Sequence, residues 1–194
     1  MISLPLPLVL GSGSPRRRQL LHQIGLQCTV CPSKVDESTF SVDGITPENY
    51  VQSLAEAKAL DVAMQLSEPS IVLGADTVVV LDGRILGKPI DQNDAKTMLR
   101  SLSGKTHTVY TGISLVDSLT FKIINDVATT KVTFRELDDQ EIIDYIAGGS
   151  PMDKAGAYGI QDDFGAVFVS HIVGCYYNIV GLPLELFYRT LRKF

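Results

Sequence analysis

Apolar runs of strand length alternate along this chain with segments whose apolar residues recur at helical spacing, and that order predicts an α/β fold. Leu8-Val-Leu10 reads as a buried strand, followed by the Gly11–Ser14 turn and a helix from Pro15 to about Ile24. Leu26–Cys31 reads as a second strand, before a polar loop through Val35-Asp-Glu37. A longer helix opens at Thr46-Pro47 and reaches about Leu66, with Val51, Leu54, Ala55 and Val62 as its apolar stripe. Ile71–Leu81 is an unbroken buried strand, and Asp82-Gly83 turns it into a hairpin. A helix over about Gln92–Leu102, strands His107–Val116 and Phe121–Phe134, and a helix over Asp138–Ala147 follow. Strands over about Gly165–Ile172 and Cys175–Val180 precede a final helix from Pro183 to Lys193. No repeat, low-complexity stretch or linker interrupts the pattern, so a single domain over residues 1–194 is expected.

Three charges break this pattern. Asp76 sits inside the Ile71–Leu81 run, where an ionised carboxylate needs a cation or several donors. Lys58 falls within the apolar stripe of the second helix. Counting back from the Asp82-Gly83 turn pairs Thr77 with Lys88, which sets Lys88 beside Asp76. Each has a plain structural reading, a carboxylate accepting backbone N–H groups or a lysine that snorkels. Together they point to a cleft with lysines at its wall and carboxylates at its centre. Glu37, with Asp36 before it, offers a second carboxylate, and Mg²⁺ takes one or two such groups plus water and phosphate oxygens.

The Gly11–Ser14 turn adds an anion site. Ser14 is a good N-cap and Pro15 suits the first helical position, so free N–H groups converge where Arg16, Arg17 and Arg18 begin the helix. Basic residues oppose the dipole there, which favours a bound phosphate over a plain charged turn. Gly11-Ser-Gly13 is not a dinucleotide fingerprint, because Arg16 stands where its third glycine belongs. Ser103-Gly-Lys-Thr106 copies the tail of a P-loop, but Leu99 occupies the first glycine position. His22, His107 and His171 show no ligand spacing and read as structural or surface residues.

Composition narrows the partners. A net charge of −5, with one local basic cluster, argues against nucleic acid or a membrane surface and for a small polyanion with a divalent cation. No apolar run is long enough to span a bilayer, and Met1-Ile-Ser-Leu-Pro-Leu-Pro-Leu lacks the charged start of a signal peptide, so a cytoplasmic protein is expected. Cys28 and Cys31 point to opposite faces of their strand. Cys175 is the only other cysteine, so a four-thiolate zinc site is impossible.

Seven segments, in order, resemble the Maf family of nucleotide pyrophosphatases. They are Ser12-Gly-Ser-Pro-Arg-Arg17, Val35-Asp-Glu37, Ala55-Glu-Ala-Lys58, Gly74-Ala-Asp-Thr77, Gly87-Lys-Pro89, Lys154-Ala-Gly-Ala-Tyr-Gly-Ile-Gln161 and Val180-Gly-Leu-Pro183. The resemblance implies an elongated mixed sheet with flanking helices and a central cleft between two lobes, like that of inosine triphosphate pyrophosphatases. It implies hydrolysis of nucleoside triphosphates to monophosphate and pyrophosphate with Mg²⁺ or Mn²⁺, and a homodimer. Asp76 takes the catalytic acidic position, and Glu37 joins it as metal ligand or second carboxylate. Ser12, Ser14, Arg16, Arg17, Lys58 and Lys88 would contact the triphosphate. Arg17, Thr77 and Gln161 match the positions that set base preference in the branch acting on dTTP and UTP, against a sister branch preferring 7-methyl-GTP. Gln161 offers a donor and an acceptor, which suits the edge of a uracil ring. The third arginine, Arg18, departs from the family pattern.

The reaction so implied is in-line attack of water at the α-phosphorus, with Asp76 either binding metal or taking the water's proton. A non-catalytic nucleotide sensor regulating a partner in septum formation would share the phosphate floor but not require Asp76, Glu37 and both lysines. An interaction protein docking an acidic partner on the arginine turn would need no nucleotide at all.

Overall fold

A computed structural model describes residues 4–161 and 164–194, so the opening Met1-Ile-Ser of the N-terminal stretch lies outside it. The elements are β1 (Leu8–Leu10), α1 (Pro15–Gln23), β2 (Thr29–Val30), α2 (Pro47–Ala63), β3 (Ile71–Leu81), β4 (Arg84–Leu86) and α3 (Gln92–Leu102). They continue with β5 (Thr106–Asp117), β6 (Ile123–Phe134), α4 (Asp139–Ala147), β7 (Val169–Val173), α5 (Tyr176–Val180) and α6 (Leu184–Leu191). The strands form one sheet in the order β2-β1-β3-β5-β6-β7, with β4 paired to β3. β1 runs parallel to β2 and β3, whereas β3–β4 and β6–β7 are antiparallel. The α/β reading with a mixed sheet and flanking helices is therefore borne out.

The chain divides into two compact units. The first comprises the chain up to Asp76, Thr111–Ala128 and Gly181–Phe194. One of its cores joins Val9, Val72 and Val116 of three strands to Ala59, Val62 and Ala63 of α2. Helix α2 begins where the sequence predicts, with Thr46 Oγ1 accepting from Asn49 N–H at 3.3 Å and Pro47 in the first turn. Its stripe is buried, and two glycines beneath it remove every spacer. A Cβ on Gly74 would stand 2.1 Å from the Ala55 carbonyl oxygen, and one on Gly112 would stand 2.4 Å from that of Val51. The backbones of β3 and β5 thus touch the helix directly.

The second unit comprises Thr77–Tyr110 and Thr129–Val180. Its core packs Leu99 and Leu102 of α3 and Tyr145 of α4 with Phe134 and Phe168. Asp91 caps α3 through Asp94 N–H, and Asp138 with Glu141 forms a capping box on α4. His107 is a core residue, as expected: its Nε2 lies 2.8 Å from the Tyr158 hydroxyl, and the ring meets Phe134 edge to face.

Four expectations need correction. The Leu26–Cys31 strand shrinks to Thr29–Val30, because β2 pairs only with the three-residue β1. Residues Phe164–Phe168 form a 3₁₀ turn, and β7 starts only at Val169. Cys175–Val180 is not a strand, since α5 occupies it. The buried Asn178 amide donates to the Val109 carbonyl and to Thr130 Oγ1, and Thr130 Oγ1 accepts from Cys175 N–H, so tertiary bonds override strand propensity. Finally, the hairpin ladder ends at Val79 opposite Leu86. The Gly87 carbonyl accepts from Gly156 N–H instead, and Pro89 has no N–H to continue a ladder, so the register that set Lys88 opposite Thr77 does not form. Among the described residues, no helix is long and apolar enough to cross a membrane.

Candidate active site

The first unit gathers most of the singled-out charges. Asp76 ends that unit's stretch of β3, a strand whose burial is otherwise almost wholly apolar. Lys58 leaves α2 one turn after Ala55, the residue pressed against Gly74 of the same strand. This contact brings Lys58 Nζ to 2.7 Å from Asp76 Oδ1, with both side chains 11% exposed. The same ammonium lies 2.7 Å from Glu37 Oε1. Glu37 is half-exposed and opens a 3₁₀ turn, Glu37–Thr39, that Asp36 caps by accepting from Ser38 N–H. Lys58 therefore bridges the two carboxylates that the sequence nominated.

The glycine–serine turn follows β1 and is tied to β3 by Gly11 N–H donating to the Leu73 carbonyl. Pro15 starts α1, and Ser14 stands at the N-cap with extended backbone, yet its side chain makes no capping hydrogen bond. Ser14 instead donates its N–H to the buried Ser12 hydroxyl oxygen, which also accepts from Arg17 Nη1 at 2.8 Å. Arg17 Nε donates to the Gly181 carbonyl at 2.8 Å, fastening the turn to the start of the unit's C-terminal segment. Arg16 is half-buried and Arg18 exposed.

Electrostatics follow from this crowding. Burial pushes Asp76 above the ordinary carboxylate range and Glu37 adds to the rise, against the opposing pull of Lys58 and Arg17. Burial lowers Arg17 from its ordinary value, with Arg16 adding and Asp76 and Glu37 opposing. Tyr50 is raised by burial and then by the fields of Asp76 and Glu37, which identifies a residue the sequence reading missed. Its signal was available, because Tyr50, Leu54 and Lys58 recur at four-residue spacing on α2.

The remaining candidates lie in the second unit. Thr77 is half-buried on β3, Lys88 is exposed beyond β4, and Gln161 is half-buried after the 3₁₀ turns that follow α4. Gln161 Oε1 is buried without a hydrogen-bond partner among the described residues. No cluster of three or more His, Cys, Asp or Glu suited to a metal occurs among the described residues. The hard carboxylate oxygens of Asp76 and Glu37 nonetheless match the one or two protein ligands that Mg²⁺ accepts when phosphates supply the rest.

Comparison with known proteins finds relatives along nearly the whole chain. The family model for Maf-like proteins matches residues 7–194. A dTTP/UTP pyrophosphatase of Clostridium perfringens (strain 13 / Type A) is 47% identical over 186 residues, covering 96% of each chain. Another, from Pelotomaculum thermopropionicum, is 48% identical over 187 residues, again 96% of each. Among solved structures, a HAM1 protein from Coxiella burnetii aligns with a TM-score of 0.42 and 18% identity, over 66% of this chain and 73% of that one.

Proposed function

The chain belongs to the Maf family, and from that membership we propose that it hydrolyses dTTP and UTP to their monophosphates and pyrophosphate. Modified uridine and thymidine triphosphates share the reacting groups, which fits a role in clearing nucleotide pools. The match over residues 7–194 supports one Maf-like domain. The observation that carries the chemistry is Lys58 bridging buried Asp76 to Glu37.

Phosphoanhydride hydrolysis needs positioning and charge neutralisation more than covalent chemistry. Arg16, Arg17 and Lys58 supply positive charge to the triphosphate, and the N–H groups around Ser12 and Ser14 receive its oxygens. Ser12, whose oxygen accepts from Arg17, keeps a proton to donate. Lys88, exposed beyond β4, is assigned as a further cation for the triphosphate from its match to the family's Gly-Lys-Pro segment. Asp76 and Glu37 would hold a divalent cation, Mg²⁺ or Mn²⁺, which lowers the charge on the phosphates and polarises the attacked phosphorus when bound. Asp76, kept above the carboxylate range by burial, is suited to take the proton of the attacking water. Raised Tyr50 stays a neutral phenol and can donate to an oxygen beside the two carboxylates.

Base choice is assigned to Arg17, Thr77 and Gln161. The unpartnered Oε1 of Gln161 is an acceptor for a pyrimidine N3–H, and its amide can donate to a ring carbonyl. A homodimer in the cytoplasm completes the reading.

The test is a panel of dTTP, UTP, 7-methyl-GTP, ITP and dCTP with Mg²⁺ or Mn²⁺, with pyrophosphate and monophosphate quantified. Metal-dependent pyrophosphate release from dTTP and UTP above the others is the expected result. A different preferred base overturns the roles of Thr77 and Gln161, and binding without turnover replaces the enzyme by a sensor.

A further inference from the structure

Gln161, the proposed selector of the base, gains no hold through Oε1, since this buried oxygen has no partner among the described residues. The backbone leading to it must place it. That backbone is irregular: Gly156 and Ala157 have φ of 70° and 59°, and the chain leaves them extended at Tyr158. An extended stretch outside any helix or strand takes its direction from the bonds it makes to neighbouring elements.

Those bonds fall on two consecutive residues. The Tyr158 hydroxyl lies 2.8 Å from His107 Nε2 on β5, and Gly159 N–H donates to the Tyr145 hydroxyl on α4 at 3.1 Å. Tyr158 is buried, and its ring meets Phe134 edge to face with centroids 4.8 Å apart. Just upstream, Gly156 N–H donates to the Gly87 carbonyl at 3.0 Å. Gln161 follows Gly159 by two residues.

The Tyr158–His107 contact is a costly choice for a core. Burial lowers His107 to about 4 and raises Tyr158, so imidazole and phenol are both neutral and bring one polar proton each. A single contact uses one of the two. His107 Nδ1 is buried with no partner among the described residues, and such a group costs about 1–3 kcal/mol. An apolar pair of the same shape would fill the space without that cost. What the polar pair adds is direction, because a hydroxyl bonded to a ring nitrogen fixes its own ring lengthwise.

We propose that Tyr158 is a specificity-positioning residue, which through its bond to His107 holds the Tyr158–Gln161 segment so that the Gln161 amide meets the pyrimidine edge in one orientation. The proposal rests on the reading of Gln161 as the group that selects the base. Tyr158 touches no substrate in this role. It acts through Gly159 and Ile160.

The test measures kcat/KM for dTTP and dCTP with Mg²⁺ on the full chain, in Tyr158→Phe, Gln161→Ala and the pair. Tyr158→Phe keeps the ring and removes only the hydroxyl. It is expected to lower the dTTP-to-dCTP ratio about tenfold, with kcat/KM for dCTP changed less than about twofold. In the Gln161→Ala background the same change should alter the ratio less than about twofold, because residues acting as a unit are not additive. His107→Gln, which keeps a partner for the hydroxyl, should retain most of the ratio, and His107→Leu should lose it. A parallel fall for both nucleotides, or equal changes of the ratio in both backgrounds, leaves Tyr158 a structural role and overturns the proposal. Should Tyr158→Phe fail to fold, the double variant His107→Leu/Tyr158→Phe, which leaves neither half unpaired, carries the same cycle. Amide hydrogen exchange reads the segment without turnover. The Gly156, Ala157 and Gly159 amides should exchange faster in Tyr158→Phe but not in His107→Gln, while α3 stays protected. Should the wild type hydrolyse no nucleotide, or hydrolyse dTTP and dCTP alike, the functional reading falls instead. Exchange then decides whether Tyr158 holds the segment, with unchanged protection at Gly159 refuting it.

Discussion

Lys58 Nζ and Asp76 Oδ1 lie 2.7 Å apart across two elements, a helix and the strand it packs on, with both side chains almost out of water. The pair is not self-contained, because Glu37 claims the same ammonium. Arg17 acts on both carboxylates as well, so the helix ammonium, the arginine turn and the two acids form one coupled cluster of charge.

Asp76→Asn is expected to keep the fold and nucleotide binding and to lose about a hundredfold or more in kcat. Stability should move the other way. Burial holds Asp76 above its unfolded value of about 3.9, so folding favours the protonated form. That contribution is present below the unfolded value and is lost as pH rises through the folded one. Asparagine never ionises, so the variant should melt at or above the wild type at pH 7, with the gap closing on acidification. Thermal melts from pH 4 to 8 check this, and a variant that melts lower while retaining most activity refutes it.

Lys58→Met removes the ammonium and leaves the Asp76 carboxylate buried against Arg17 alone. Breaking one side of a buried pair should cost on the order of 3 kcal/mol at pH 7. The cost should shrink in acid, where Asp76 takes a proton. Urea unfolding at two pH values measures both, and a pH-independent loss contradicts the pairing.

Gly74→Ala and Gly112→Ala should each destabilise by about 2–3 kcal/mol, since the added methyl meets backbone rather than a yielding side chain. Gly74→Ala should also reduce kcat by parting Lys58 from Asp76. Gly87→Ala is the control for stability: a Cβ there meets nothing within 4 Å, so its melting temperature should stay near that of the wild type. Equal melting temperatures for all three refute the close-contact account.

His107 belongs to the second unit's core, where burial lowers it to about 4. A histidine depressed in the folded state supports stability above its unfolded value near 6.5 and loses it as pH falls through the folded one. The wild type should therefore lose up to about 3 kcal/mol between pH 6.5 and 4 from this residue. His107→Gln keeps a partner for the Tyr158 hydroxyl without titrating, and its unfolding free energy should lack that slope. A slope of the same size in the variant assigns acid sensitivity elsewhere.

The legible parts of this site were those where charge contradicts pattern. Asp76 in an apolar run and Lys58 in an apolar stripe could be nominated because burial of either demands a partner. The bounds of β3 and α3 were also readable, β3 from its unbroken apolar run and the Asp82-Gly83 turn. What the sequence hid was decided at a distance. Cys175–Val180 has strand-like residues, yet Asn178 finds its partners 48 and 69 positions away and folds the segment as α5. Lys88 was placed by extending a ladder that Gly87 and Pro89 end. A bond from Ser33 to Asp61 likewise spans 28 positions between residues that look like ordinary solvated polar groups.

The bare backbone beneath α2 has a mechanical corollary. At Gly74 and Gly112 the helix rests on peptide groups, whose dimensions no substitution can alter, rather than on interlocking side chains of variable bulk. The spacing between the ammonium and the carboxylate is thereby uncoupled from the composition of the surrounding core. Conservative exchanges at Val62, Leu54 or Val116 are therefore expected to register in melting temperature rather than in turnover. The interior can be repacked while the ammonium and the carboxylate keep their separation.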